Sequence, residues 1–145
     1  PPAAAPMSQR VLVVDDNRDA AELLAEALGA AGHQVELAFD GPTAIEVAIR
    51  LRPHVAFLDI GLPVMDGYEL ARQLSRLEAT QGTRLVAVTG YGLDRDRAMA
   101  SDAGFDHHLV KPITLDDALA LALPGAPSRE GAPVSDELSP APTAR

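Results

Sequence analysis

The chain has 145 residues, 47% hydrophobic and 23% charged, a composition typical of a single soluble globular domain. Its formal net charge of −9 argues against binding to nucleic-acid backbones or anionic membranes, so we expect neither as a direct partner. The absence of cysteine excludes disulfides and thiolate sites, and the lack of a signal-peptide pattern or a long apolar run predicts a cytoplasmic protein.

Proline is concentrated at the two ends of the chain. Both ends mix it with Ala, Ser and Gly and have no hydrophobic periodicity, which is typical of disordered linkers. We therefore predict a linker over residues 1–9, one folded domain over residues 10–123 and a tail over residues 124–145. The Pro- and Ala-rich opening favours a segment of a longer protein.

Within the predicted domain, short apolar runs alternate with amphipathic stretches. Five such repeats predict an α/β fold, in which a doubly wound parallel sheet carries helices on both faces. The predicted strands are Val11–Val14, Val35–Phe39, Val55–Leu58, Leu85–Val88 and His107–Val110. The predicted helices run from the Asn17 cap to Gly32, over Ala44–Leu51, Tyr68–Leu77 and Asp94–Ala103, and from the Thr114 cap to about Leu123.

Polar residues follow four of the five strands. Asp15 and Asp16 come after the first strand, Asp59 after the third, Thr89 after the fourth and Lys111 after the fifth. The carboxyl ends of parallel strands meet at one edge of a sheet. With strand order 2-1-3-4-5, the first and third strands are neighbours at the point where ligands bind. Each of these residues alone is more typical of a turn or a helix cap, but together they predict a site.

The residue types at this edge suggest phosphoryl chemistry. Three clustered carboxylates repel one another unless a cation lies among them, and their hard oxygens favour Mg²⁺ over zinc or copper. A lysine and a hydroxyl facing such a metal suit a tetrahedral anion, and one of the carboxylates could attack phosphorus to give an aspartyl phosphate.

Four segments resemble the receiver domain of two-component response regulators, and the resemblance covers about residues 10–123. Asp16, Asp59, Thr89 and Lys111 are separated by 43, 30 and 22 residues, and the four motifs in this order are a specific signal. The resemblance implies a flavodoxin-like (βα)5 sandwich of strand order 2-1-3-4-5. The matching segments are Val11–Asn17, Phe57–Gly67, Ala87–Gly90 and His108–Pro112.

The resemblance also implies a role for each site residue. Asp59 would accept the phosphoryl group and bind Mg²⁺, with Asp16 as a direct ligand, Asp15 as a ligand mainly through water and the Gly61 carbonyl completing the set. Lys111 would pair with a phosphoryl oxygen.

On phosphorylation, Thr89 would move to bond another phosphoryl oxygen. This movement would shift the face formed by the fourth helix, fifth strand and fifth helix. The donor would be a histidine kinase or a histidine phosphotransfer protein. The chain, a monomer when isolated, would catalyse its own phosphorylation and dephosphorylation.

One position departs from the family pattern. The family usually has Tyr or Phe three residues before the strand-five lysine, where this chain has His108, so the aromatic switch either fails or uses a polar ring. Tyr91, two residues after Thr89, is the other candidate for the switch, and Gly90 belongs to the same set of switch and access residues. The resemblance implies that the positions of Tyr91 and Gly61 tune how readily water reaches the phosphoryl group, so we expect Tyr91 to shield the acyl phosphate.

The histidines do not predict a metal site. His107 and His108 are adjacent on a strand and point to opposite faces, so they cannot chelate one ion. We expect His33 and His54 to be solvated surface residues.

Of three other functions that an edge of this kind could serve, one stays open. A degenerate receiver that binds partners without phosphorylation is kept open by His108. A phosphohydrolase of the haloacid-dehalogenase type lacks the acid that it needs at Gly61, and a dinucleotide binder lacks a glycine-rich turn after the first strand. The motifs also resemble receivers attached to hybrid histidine kinases.

Overall fold

The structure is a computed structural model that describes residues 8–90, 99 and 101–124. Residues 99 and 101–103 are helical and are called α4. No helix in the described part is long and apolar enough to cross a bilayer. The other elements are β1 (Arg10–Val14), α1 (Arg18–Ala30), β2 (Gln34–Ala38), α2 (Gly41–Leu51), β3 (Val55–Asp59), α3 (Gly67–Arg76), a 3-10 turn (Glu78–Thr80), β4 (Arg84–Thr89), β5 (His107–Val110) and α5 (Leu115–Ala122).

The five strands form one parallel sheet of order β2-β1-β3-β4-β5. This order confirms the predicted doubly wound, flavodoxin-like fold. The register pairs Val14 with Leu58 and Asp59 with Val88, so the carboxyl ends of the three central strands lie side by side. The sheet therefore brings the residues that follow these strands to one edge.

Helices cover both faces of the sheet because alternate strand residues point to opposite sides. Leu12 and Ala56 face a core with α2 and α3, whereas Val11 and Phe57 face a second core with α1 and α5. Both cores consist mainly of aliphatic side chains, as a chain with 3% aromatic residues requires.

Four helices begin at a side-chain cap, and the caps fix where the loops from the site enter them. The predicted caps at Asn17 and Thr114 are confirmed, and both accept a backbone amide three residues on. The sequence reading missed the other two, Asp40 before α2 and Asp66 before α3. The remaining differences are shifts of one to three residues at element ends, the largest at the start of α2, and the 3-10 turn, which was not predicted. The start of the predicted helix Asp94–Ala103 lies outside the described residues.

His33 and His54 lie at the amino edge of the sheet, where the strands begin, and their positions differ from the sequence-based expectation. His33 is only 8% exposed, and its Nδ1 accepts the Gln9 amide at 3.0 Å. His54 is half-buried, and its Nδ1 accepts the Arg10 amide at 2.9 Å. Both rings thus fasten the start of β1. The prediction that they are solvated was wrong, because a sequence does not reveal which amides lack a partner at a strand's entry.

The first described residues also bond to the domain. Ser8 Oγ donates to the Gly32 carbonyl at 2.9 Å, and the Gln34 amide donates to the Gln9 carbonyl at 2.9 Å. These bonds attach two residues of the predicted linker to the loop after α1 and to the first residue of β2. The domain boundaries as a whole stay a prediction.

Candidate functional site

Three carboxylates meet where β1 and β3 end. Asp15 and Asp16 follow β1, Asp59 is the last residue of β3, and one oxygen from each lies within 4.8 Å of the others. Asp59 and Asp15 are 7% and 8% exposed, whereas Asp16 is exposed. The cluster therefore has two buried acids beneath one that faces solvent.

Among the residues that the structure describes, Lys111 is the cation that lies beside these carboxylates. Its Nζ lies 3.5 Å from Asp59 Oδ2 and 3.7 Å from Asp15 Oδ2. Its backbone amide donates to the Thr89 carbonyl at 2.7 Å, which ties the ends of β4 and β5 together. The Lys111 side chain is 40% exposed, so it can face both the acids and an incoming group.

Backbone amides hold the two buried carboxylates in place. The Asn17 amide donates to Asp15 Oδ1 at 2.9 Å, and the Gly61 amide donates to Asp59 Oδ1 at 3.0 Å. Each bond occupies one oxygen and leaves the other, Oδ2, on the side of Lys111. The free edge of both carboxylates is thereby aimed into the site.

Burial and the neighbouring groups shift the pKa of Asp15. Burial raises the pKa of its carboxyl above the ordinary value; the Asn17 amide bond lowers it, the neighbouring Asp59 raises it and Lys111 lowers it. The acids are thus crowded in a way that one lysine only partly offsets.

The loop after β3 returns very close to the strand. The Gly67 amide donates to the Ile60 carbonyl at 2.9 Å, and a Cβ at residue 67 would lie 2.5 Å from the Asp59 carbonyl oxygen. Any larger residue would push the backbone of Asp59, so Gly67 is a requirement of the site. The sequence reading treated it as the end of a loop; its place directly after an Asp cap was the available signal.

The donor set fits a magnesium ion. Within the described residues, the three carboxylates are the group of possible metal ligands that lies close enough together, and it contains no imidazole or thiolate. Hard carboxylate oxygens suit Mg²⁺, and the backbone carbonyl of the loop at Gly61 is of the same chemical type.

The structure describes all but one of the remaining predicted residues, and it places Thr89 and Gly90 at the same edge. Thr89 ends β4 and is 5% exposed, and Gly90 follows it in an exposed position. His108 lies on β5 opposite Ala87 and is half-buried, while His107 is buried on the other face, as predicted from strand alternation. Tyr91 lies outside the described residues.

Comparison with known proteins agrees with this geometry. The response regulator receiver domain family matches residues 11–122. The response regulator MprA of Mycobacterium ulcerans is 39% identical over 114 residues, which are 79% of this chain and 48% of MprA. The chain thus spans about half the length of the curated relatives it matches.

Solved structures resemble the chain over the same region. The receiver domain of the Pseudomonas aeruginosa sensor histidine kinase PA1611, with magnesium coordinated in its active-site cleft, is 30% identical with a TM-score of 0.72, covering 79% of this chain and 94% of that one. A Burkholderia pseudomallei response regulator with a phosphorylated aspartic acid is 27% identical with a TM-score of 0.74, covering 81% and 68%. The chain belongs to the response regulator receiver domain family, the phosphoacceptor modules of two-component signalling.

Proposed function

We propose that Asp59 is the phosphoacceptor of this chain and receives a phosphoryl group from a phosphohistidine. The observation that carries this assignment is the position of Lys111 Nζ, 3.5 Å from the oxygen of Asp59 that does not accept the Gly61 amide. A carboxylate with one oxygen fixed and the other beside a cation is oriented for attack on a phosphoryl group.

The transfer needs little covalent chemistry from the protein. Asp59 Oδ2 attacks phosphorus, the phosphorus–nitrogen bond of the donor breaks, and the imidazole leaves with the electron pair. The product is an acyl phosphate on Asp59, and attack by water later releases phosphate and restores the carboxylate. Lys111 neutralises charge on the phosphoryl oxygens, so the chain catalyses its own modification mainly by positioning groups.

The same edge of the sheet supplies the proposed Mg²⁺ ligands. Asp16 and Asp59 would hold Mg²⁺ directly, Asp15 mainly through water, and the Gly61 carbonyl would complete the set. When bound, Mg²⁺ neutralises charge on the carboxylates and the phosphoryl oxygens. The protein's own contribution is to hold the buried carboxylates at fixed positions through the Asn17 and Gly61 amides.

Thr89 and His108 are proposed to carry the switch. Thr89 is buried at the end of β4, and His108 lies on the neighbouring strand next to Ala87. Movement of the Thr89 hydroxyl toward the phosphoryl group would open space for the His108 ring and shift the face formed by α4, β5 and α5. Gly90 and Tyr91 are proposed to govern the access of water.

The wider context follows from the donor chemistry. We propose a histidine kinase or a histidine phosphotransfer protein as the partner. We also propose that the transfer takes place in the cytoplasm, where such donors carry their phosphoryl group. The net charge of −9 disfavours direct contact of this chain with nucleic acid or a membrane surface. We propose a monomeric domain over residues 10–123, flanked by a linker and a tail, within a response regulator or a hybrid histidine kinase.

The assignment of Asp59 is tested with acetyl phosphate or beryllofluoride in the presence of Mg²⁺. Amide NMR spectra of the full chain should show widespread shifts in the wild type. Asp59→Asn removes the nucleophilic oxygen while keeping the shape of the side chain, so these shifts should disappear.

The matched control is Asp116→Asn, the same chemical change at an exposed carboxylate on α5. It should respond like the wild type. A wild type that does not respond, or an Asp59→Asn variant that does, would contradict the proposal.

A further inference from the structure

The β3–α3 loop, residues 60–66, connects the site to α2 through a contact that lies outside the site itself. Met65, near the end of the loop, is half-buried and packs on the core between the sheet, α2 and α3. Its side chain lies over Gly41, the buried first residue of α2. The loop that begins beside Asp59 is therefore seated on a neighbouring helix.

The contact is tight enough to require glycine. A Cβ at residue 41 would lie 2.8 Å from Met65 Sδ, 2.9 Å from Met65 Cβ and 3.1 Å from Met65 Cγ. The backbone of Gly41 is not left-handed, so an alanine there would meet no conformational penalty of its own. The obstacle to a side chain at residue 41 is thus Met65, and because its Cβ is involved, rotation of the side chain alone cannot relieve it.

A strained turn stands next to this contact. Val64 has a φ of 69°, its neighbours close the turn through the Met65 amide and the Pro63 carbonyl at 2.6 Å, and its side chain is 96% exposed. A left-handed backbone is unfavourable for a β-branched residue and persists only where the surroundings fix it. The exposed Val64 side chain offers no packing, so the fixing contacts belong to its neighbours, above all Met65.

We propose that the Gly41–Met65 contact positions the site: it seats the loop so that Gly61, four residues before Met65, holds Asp59 and presents its carbonyl to Mg²⁺. This inference rests on the proposed function. Gly41 and Met65 are positioning residues in this scheme, because they act through Gly61 and touch neither the metal nor the phosphoryl group.

The first test is Gly41→Ala in the full chain. Its Cβ should displace Met65 and the loop by a few tenths of an ångström. Since a misplacement of 1 Å can cost about 100-fold, we expect about a tenfold loss in the rate constant for phosphorylation by acetyl phosphate. The dissociation constant for Mg²⁺ alone, from an NMR titration of the Gly61 amide, should rise. A purely structural role would leave that constant unchanged.

The matched control is Gly29→Ala on α1. A Cβ at residue 29 would meet nothing within 4 Å, and its backbone is likewise not left-handed. This variant should keep the wild-type Mg²⁺ affinity and phosphorylation rate. Wild-type values for both quantities in Gly41→Ala would overturn the inference.

A second variant keeps the inference testable if Gly41→Ala does not fold. Met65→Ala removes the seated side chain without adding a clash, and it should also weaken Mg²⁺ binding and slow phosphorylation. In the double variant Gly41→Ala, Met65→Ala, the Cγ and Sδ atoms of Met65 are absent and only its Cβ remains close to residue 41. The fold-loss of the double variant should therefore be smaller than the product of the fold-losses of the two single variants. Independent losses would overturn the inference.

The Mg²⁺ titration separates this inference from the proposed function. If the wild type fails to react with acetyl phosphate, the assignment of Asp59 fails. The positioning effect on Gly61 is then still decided by metal affinity: unchanged affinity in Met65→Ala overturns it, and weakened affinity supports it.

Discussion

At the carboxyl edge of the sheet, three carboxylates lie within 4.8 Å of one another beside one lysine, whereas at the amino edge charged and aromatic side chains end on backbone atoms. Arg10 Nε donates to the Leu51 carbonyl at 2.9 Å, and Arg84 Nη1 donates to the Leu121 carbonyl at 2.7 Å. These carbonyls lie at the ends of α2 and α5, where no intrahelical partner is available.

The two edges therefore divide the work of the fold. The amino edge satisfies backbone groups and stabilises the domain, while the carboxyl edge keeps acids close together at a cost that a metal ion can repay. Substitutions at the amino edge should lower stability without changing phosphoryl chemistry. Those at the carboxyl edge should change metal binding and phosphoryl chemistry, and removal of a crowded acid there should raise the stability of the metal-free protein.

The largest effect on stability is expected for Arg84→Met. The change keeps most of the apolar stem but removes the donor to the Leu121 carbonyl at 2.7 Å. Bonds to charged groups contribute about 1.5–3 kcal/mol, so the free energy of unfolding in urea should fall by about 2 kcal/mol. Phosphorylation by acetyl phosphate, measured per folded molecule, should stay at the wild-type rate.

The control for Arg84 is Arg50→Met. Arg50 lies 3.4 Å from Glu36 with its side chain 62% exposed, and such surface pairs contribute about 0–1 kcal/mol. Equal decreases in the free energy of unfolding of the two variants would contradict the view that bonds at the amino edge stabilise the domain more than surface ion pairs do. A slower phosphorylation rate in folded Arg84→Met would show that the edges are coupled.

An intermediate effect is expected from Mg²⁺ on the carboxyl edge. A ligand at ten times its dissociation constant stabilises the folded state by about 1.4 kcal/mol, so the melting temperature should rise with millimolar Mg²⁺. Asp15→Asn removes one of two acids that are crowded and nearly buried. It should melt higher than the wild type without Mg²⁺ and gain less when Mg²⁺ is added.

Calorimetry with and without Mg²⁺ compares the two proteins directly. If the melting temperature of the wild type does not change with Mg²⁺, this would contradict the view that the carboxylates at the carboxyl edge are crowded in order to bind the metal. Asp19→Asn, at an exposed residue in the first turn of α1, is the matched control and should gain as much from Mg²⁺ as the wild type.

The carboxyl edge was more accessible to sequence analysis than the amino edge. Strand-terminal residues such as Asp59 and Lys111 reach the site by parallel pairing alone, so their order along the chain was enough to bring them together. The partners of His33 and His54 are backbone amides 24 and 44 residues away, and no residue type marks an amide that needs an acceptor.

The contact between Gly41 and Met65 could not be predicted from the sequence for a related reason. A glycine at the start of a helix is compatible with many structures, and only the packing of a loop from another part of the chain makes its missing side chain necessary. Close approach between distant segments depends on tertiary geometry, whereas caps such as Asn17 depend on residues three positions apart and could be predicted.

The smallest effect concerns pH at the amino edge. Burial lowers the pKa of His33 below the ordinary 6.5, and burial together with the charges of Arg10 and Arg84 lowers that of His54. The folded state thus binds these protons less readily than the unfolded chain. Their contribution to stability is complete above about pH 7.5 and declines as the pH falls through 6.5 toward the lower folded pKa values.

Urea unfolding across this pH range, compared between the wild type and the double variant His33→Asn, His54→Asn, isolates the two rings from the carboxylates. An asparagine oxygen can accept the same amides from Gln9 and Arg10 but does not titrate, so the double variant should lose less stability between pH 7.5 and 5.5 than the wild type. Phosphorylation rates should be equal at neutral pH, because neither ring lies near Asp59. Parallel pH profiles for the two proteins would contradict this prediction. They would show that protonation of the two rings does not contribute measurably to the loss of stability, so pH would not distinguish the amino edge from the carboxyl edge.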